Sequence, residues 1–208
     1  RSFGVADLEK VEKEVPGIFS LLPGRYMRAV VIGIRLQDAV LEDISDRPTP
    51  LYFHNYRQVN YLLDKAACIV AEAIQYAGYR SLAVPASQII ARNPMRGAVS
   101  HKLLGYHAGL GFKGRNNLLV SPRYGARMRY VSILTDMLLA ADQPQGGDCG
   151  ECRRCVEVCP AGAIGETRED FNIDKCYAKL TEFTRIPFVG QHICGVCVKA
   201  CKGPCTVD

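Results

Sequence analysis

Hydrophobic and polar positions follow two different rhythms along this chain. Over residues 25–36 the run Arg-Tyr-Met-Arg-Ala-Val-Val-Ile-Gly-Ile-Arg-Leu is dense in β-branched residues and predicts a buried strand. From about Tyr52 to Ala77 the interval lengthens. Val59, Leu62, Leu63, Ala66, Ile69, Val70, Ala73, Ile74 and Ala77 recur at helical spacing, with Arg57, Gln58, Asp64, Lys65 and Glu72 mostly on the other side. This predicts a long amphipathic helix ended by Gly78. Shorter helices are expected over residues 7–14, capped by Asp7, and over residues 100–108, capped by Ser100. Strands are expected over residues 79–84, 116–120 and 127–134, the last two paired antiparallel through the Pro122–Gly125 turn. Residues 140–148, rich in Gln, Gly and Pro, read as a linker. The fold class is therefore α+β, with a mixed domain over residues 1–140 and a second domain over residues 141–208.

Cysteines set the character of the second part. Cys149, Cys152, Cys155 and Cys159 follow Cys-x2-Cys-x2-Cys-x3-Cys, with Pro160 next; Cys176 stands apart, and Cys194, Cys197 and Cys201 repeat the end of the pattern. Thiolates at this spacing hold [4Fe–4S] cubanes in bacterial ferredoxins, where the fourth cysteine of a run ligates the other cluster. Crossing the fourth ligands puts one cluster on Cys149, Cys152, Cys155 and Cys201, and the other on Cys176, Cys194, Cys197 and Cys159. Disulfides would need an oxidising compartment, and the N-terminus shows no apolar signal-peptide core. Zinc favours two separated Cys-x2-Cys pairs. Two clusters and a cytoplasmic location are the expectation. Cys68, within the helical apolar pattern, is expected in the core. Cys205 receives no role.

Composition modifies this picture little. The chain has 208 residues, 48% of them hydrophobic, enough for a core. No run reaches the roughly 18–20 apolar residues of a membrane span. A formal charge of +5 invites a nucleic-acid reading. Eight thiolates and two cluster cores of about +2 each would add about −4, however, leaving the holoprotein near +1.

Gly109-Leu-Gly-Phe-Lys-Gly114 matches the G-x-G-x-x-G dinucleotide fingerprint, with Asp136 at a suitable distance. That fingerprint must follow a strand and open a helix. Here a helix is expected before it and a strand after it, so these glycines read better as places of close backbone approach. Among ionisable residues His101 is the candidate proton donor, since imidazole titrates near neutral pH; a surface or capping role is the alternative. His107, Tyr106, His54 and Asp136 are weaker candidates, with packing or turn roles as alternatives. His192, two residues before Cys194, is placed to tune a cluster or to face solvent. Lys102, Lys113 and Arg115 are either ligand contacts or solvated charges.

The segments Ala108-Gly-Leu-Gly-Phe-Lys-Gly-Arg-Asn-Asn-Leu-Leu-Val120, Ser121-Pro-Arg-Tyr-Gly125 and Leu134-Thr-Asp136, with the cysteine framework, resemble the epoxyqueuosine reductase family and more distantly reductive dehalogenases. Cys176-Tyr-Ala-Lys-Leu-Thr-Glu182 adds to the resemblance. It implies a nitroreductase-like, cobalamin-binding α+β domain followed by a ferredoxin-like domain with two [4Fe–4S] clusters. It also implies a low-potential electron donor of ferredoxin or flavodoxin type, and electron flow through the clusters to a corrinoid. By similarity Asn116, Asn117 and Ser121 fall nearest the corrinoid, then Tyr130. Two departures stand out. The family's acidic Asp-x-x-Pro-x-x-Glu-Arg stretch is replaced by Asn93-Pro-Met-Arg-Gly-Ala-Val-Ser-His-Lys102, without an acid, and the family's C-terminal helical repeats do not follow. The resemblance thus implies a short paralogue with an unknown substrate. A non-catalytic electron carrier and a tRNA epoxyqueuosine reductase proper are the alternatives, with tRNA not favoured as a partner.

Overall fold

The computed structural model describes residues 3–92 and 95–203, so Asn93, Pro94 and Cys205 lie outside the described residues. The elements in chain order are β1 (Phe3–Asp7), α1 (Leu8–Glu14), β2 (Arg28–Arg35), α2 (Asp38–Glu42), α3 (Pro50–Tyr76) and β3 (Ser81–Val84). The short strands β4 (Ala91–Arg92) and β5 (Met95–Arg96) precede α4 (His101–His107). Then come β6 (Phe112–Lys113), β7 (Leu119–Val120), β8 (Met128–Thr135), α5 (Arg154–Glu157), α6 (Ile173–Phe183) and α7 (Val196–Ala200). They form two compact units, each discontinuous in sequence: Arg1–Ile34 with Val59–Gly111 and Arg129–Gly146, and Arg35–Gln58 with Phe112–Met128 and Gly147–Asp208.

The first unit is built on a four-stranded sheet in the order β1-β2-β8-β3, with β1 antiparallel to β2 and β3 antiparallel to β8. The β-branched run of residues 28–35 alternates inward and outward as a strand must, burying Ala29 and Val31. Strand β1 escaped the sequence pattern because its buried positions are Gly4 and, two residues on, Ala6, too small to read as an apolar alternation. Gly4 is needed there: a Cβ would stand 2.1 Å from the Ala108 carbonyl oxygen. Helix α1 starts where Asp7 accepts hydrogen bonds from the Glu9 and Lys10 amides, and α4 starts where Ser100 accepts from Leu103.

The long helix α3 exists as expected, but its buried stripe differs. Tyr52, Asn55, Tyr56, Val59, Asn60, Leu63, Ala67, Ala71 and Ile74 are buried, whereas Leu62 and Ile69 are 56% and 66% exposed. The helix carries apolar residues on two faces and two asparagines on the buried one, so hydrophobicity alone misplaced the stripe. Arg129 Nε donates to Asn60 Oδ1 at 3.1 Å, which is how that polar side chain is accommodated. Cys68 is exposed, not in the core: it lies on the turn of α3 beside Ile69, away from the buried stripe. No helix among the described residues is long and apolar enough to cross a membrane.

In the second unit β6 and β7 form an antiparallel hairpin, with Phe112 opposite Val120 and Lys113 opposite Leu119. This corrects the expected pairing of residues 116–120 with 127–134. The Ser121–Gly125 turn forms as expected, closed by a bridge between those two residues, but β8 leaves it to enter the sheet beside β3. Helix α7 packs against α5 and α2.

Candidate functional site

The cysteine segment of the second unit alternates loops with the short helices α5 and α7 and the three-turn helix α6, which carries Cys176. Asp148 accepts from the Gly150 amide at 2.7 Å, and Cys152 N–H donates to the Cys149 carbonyl at 3.0 Å. Cys155 sits inside α5 and Cys159 just beyond it. Gly195, with φ of 85°, turns the chain from Cys194 into α7; a Cβ there would meet Ile44 and Tyr52 at under 3 Å. Cys201 caps the C-terminus of α7, its amide bonded to the Cys197 carbonyl.

Cys149, Cys152, Cys155 and Cys201 line one cavity, together with Phe112, Asn116, Val120 and Arg154. Burial pushes the Cys155 thiol up to about 11, and the neighbouring Cys201, Cys149 and Cys152 add to that shift. Cys201 is raised by burial too, with Cys149 and Cys152 contributing. The remaining four cysteines form a second electrostatic neighbourhood. The Cys194 thiol is pushed up to about 11, chiefly by burial and then by Cys176 and Cys159. Cys197 is raised well above its ordinary value by burial first, then by Cys194, Cys159 and Cys176, with Cys155 last. No disulfide joins the described cysteines. Nor, among the described residues, does any group of three or more His, Cys, Asp or Glu close on a single metal ion.

Two arginines secure the first cysteine loop. Arg154 Nε donates to Cys152 Sγ at 3.4 Å and its Nη2 to the Gly203 carbonyl at 3.2 Å. Arg115 donates to the carbonyls of Cys152 at 2.8 Å and Gly150 at 2.6 Å. Arg154 was missed by sequence reasoning, although its place between Cys152 and Cys155 was a signal. Near the second group, Tyr177 and His192 stack at 4.9 Å with an interplanar angle of 1°, which gives His192 a packing partner beside Cys176 and Cys194.

Residues 112–128 approach this region through the β6–β7 hairpin and the turn after it. Asn116 is buried, its Oδ1 accepting from Leu118 N at 3.2 Å while its Nδ2 has no partner among the described residues. Asn117 takes φ of 55°, a left-handed conformation that asparagine tolerates better than most residues. Ser121 is buried and its hydroxyl accepts from the amides of Arg123 and Tyr124, so that oxygen serves the turn. Gly125 permits a close crossing: with φ of 62°, its Cβ would stand 2.1 Å from the Cys201 carbonyl and 2.3 Å from Gly203 N.

The other candidates lie in the first unit. His101 Nδ1 pairs with Ser132 Oγ at 2.9 Å, and its Nε2 with the Pro85 carbonyl at 2.9 Å. A carbonyl only accepts, so Nε2 carries the proton and both nitrogens are engaged in the neutral ring. Tyr130 is buried, which pushes its phenol up; its hydroxyl has no partner among the described residues. His107 pairs with Glu14 at 2.9 Å, and Asp136 accepts from the Arg80 amide at 2.8 Å.

No family model matches the chain. An epoxyqueuosine reductase of Lactococcus garvieae is 39% identical over 87 residues, 41% of this chain and 24% of that protein. One from Synechocystis is 33% identical over 117 residues, 50% of this chain and 39% of that protein. A tetrachloroethene reductive dehalogenase of Desulfitobacterium hafniense is 34% identical over 94 residues, 42% of this chain and 17% of that protein. The chain thus spans less than half the length of these curated relatives. Among solved structures, a catabolic reductive dehalogenase in complex with 3-bromo-4-hydroxybenzoic acid superposes with a TM-score of 0.75 at 20% identity, covering 96% of this chain and 29% of that one. An epoxyqueuosine reductase from Streptococcus thermophilus gives 0.58 at 16% identity, covering 99% and 64%. The chain is therefore similar in sequence to both groups, over less than half of its length in the Lactococcus and Desulfitobacterium matches, and the mixed fold of a small sheet with helices is shared with both.

Proposed function

We propose that this chain is an iron–sulfur redox protein that holds two [4Fe–4S] clusters on crossed cysteine sets and, as a cobalamin-dependent reductase, passes their electrons to a corrinoid. The observation that carries the reading is the cavity lined by Cys149, Cys152, Cys155 and Cys201, cysteines drawn from both runs of the sequence. Cys159, Cys176, Cys194 and Cys197 form the complementary group by their mutual electrostatic influence. A cubane's ligands each take a separate iron at a corner of the cube, so they surround a cavity and do not converge on a point.

The donor set fits. Thiols held near 11 by burial are poor ligands as thiols, and the positive iron core is what makes their thiolates favourable in so dry a site. Arg154 and Arg115 fix the loop that presents Cys149 and Cys152. For the corrinoid, the orphaned Tyr130 hydroxyl is the residue that fits best, since a buried hydroxyl without a partner calls for one. Asn117 and Ser121 remain assigned to it by similarity, whereas Asn116, assigned to it on the same ground, lines the cysteine cavity. When bound, a corrinoid supplies low-potential cobalt chemistry; the chain would position it, exclude water and receive electrons from a ferredoxin- or flavodoxin-type donor. The first unit is then the nitroreductase-like half and the cysteine segment the ferredoxin-like half of the fold.

A second reading, an electron carrier without catalysis, gains from His101: its Nε2 proton is committed to the Pro85 carbonyl, so the candidate acid is not free to act. Anaerobic reconstitution with iron, sulfide and cobalamin decides between them. The reductase reading expects about eight irons per chain and retained base-off cobalamin by absorption and EPR. Intact clusters with no retained corrinoid would leave only the carrier.

A further inference from the structure

A buried hydrogen-bond donor without an acceptor is rare in native proteins and points to an ion, water or cofactor that takes it. Asn116 Nδ2 is such a donor, in a residue only 4% exposed. Its orientation is fixed. Oδ1 accepts from Leu118 N, and the surrounding loop is tied by Gly114 N to the Leu118 carbonyl at 2.9 Å and by Asn117 N to the Gly114 carbonyl at 3.0 Å. Flipping the amide would set two donors against each other. Asn116 lines the cavity of Cys149, Cys152, Cys155 and Cys201, where no other polar side chain but that of Arg154 joins the cysteines. Arg154 already points its Nε at Cys152 Sγ.

Backbone amides donate to sulfur in both groups, Ala163 to Cys159 Sγ at 3.4 Å and Val196 to Cys194 in one, Ala126 and Gly203 to Cys201 in the other. What the Cys149–Cys201 cavity adds is side-chain donors, one of them a guanidinium. Reduction adds negative charge to a cluster and its sulfurs, and N–H donors or a guanidinium beside them favour the reduced form. We infer that Asn116 Nδ2 and Arg154 Nε donate to sulfur atoms of the cluster in the Cys149–Cys201 cavity, making it the more oxidising of the two. The two residues are positioning and tuning groups, and the second cluster is the stronger reductant. The inference rests on the two-cluster reading above.

The test is an EPR-monitored redox titration of the anaerobically reconstituted full chain, with iron and sulfide analysis on the same sample. Two centres of different midpoint potential are expected. Asn116→Leu, similar in volume but without a donor, and Arg154→Gln should each lower the higher potential by a tenfold change in the reduction equilibrium, 59 mV for one electron. The lower potential and the iron content should not change. No shift in either variant, or a shift confined to the lower-potential centre, overturns the assignment. Should Asn116→Leu fail to hold its cluster, pulsed EPR of the unmutated chain labelled with ¹⁵N-asparagine gives the answer independently. A nitrogen coupling at the higher-potential centre supports the inference, and its absence refutes it. A wild-type chain that takes up no iron would instead refute the two-cluster reading, a separate and recognisable outcome.

Discussion

At the scale of single residues, His101 shows how a titratable group is bent to structure. Burial pushes its pKa below the usual 6.5, with Arg129 acting in the same direction, while the Pro85 carbonyl and Asp64 oppose. As pH falls, the unfolded chain therefore takes up this proton before the folded one does. The stability contribution is complete above about 6.5 and is lost as pH drops towards the lower folded value. Urea midpoints of the holoprotein between about pH 7.5 and about pH 5.5 should fall more steeply for the wild type than for His101→Gln. Equal slopes would mean that another group carries the dependence. Sequence singled out His101 but could not assign its role, because Ser132 and Pro85 reach it only through the fold. Asn116 was singled out only by resemblance, as a residue near the corrinoid. Its orphaned amide is a property of burial, which one sequence does not display.

Among the elements, what was readable depended on whether the signal was local. Caps at Asp7 and Ser100 act within a few residues and were correctly placed. Residues 116–120 could pair with either neighbour, and the choice of β6 over β8 is made by tertiary context. The Ser121–Gly125 turn matters most for the cavity, since Ala126 N–H donates to the Cys201 carbonyl at 3.2 Å and Gly125 crosses that backbone closely. Gly125→Ala would combine a left-handed alanine, about 1–2 kcal/mol, with a clash against main chain that has no flexible end to yield. It should displace Cys201 and reduce iron from about eight to about four per chain, leaving the EPR signal of the other centre. Arg127 anchors the same corner, with Nη1 on Asp38 at 2.8 Å and Nε on the Lys199 carbonyl at 3.2 Å. Arg127→Met should cost about 1–3 kcal/mol for the lost charged hydrogen bonds, seen as a lower thermal midpoint with iron content kept.

For the whole molecule, charge couples the clusters to an observable that needs no activity. The chain carries +5 at neutral pH with its thiols protonated, and burial keeps Cys155 and Cys194 in that state by raising them to about 11. On the two-cluster reading, assembly would convert eight neutral thiols to thiolates and add two cores of about +2, a net change of about −4. The holoprotein should therefore leave a cation exchanger at markedly lower salt than the apoprotein, near the behaviour of a +1 chain. A protein with a single cluster would change by about −2 and elute between the two. Cys176→Ser, which removes a ligand from one set only, should move to that intermediate position on reconstitution. If Cys176→Ser still elutes with the full holoprotein and retains about eight irons, Cys176 is not a ligand and the crossed assignment fails with it. On the two-cluster reading the net charge falls to about +1, so the formal +5 of the sequence is then no argument by itself for a nucleic-acid partner.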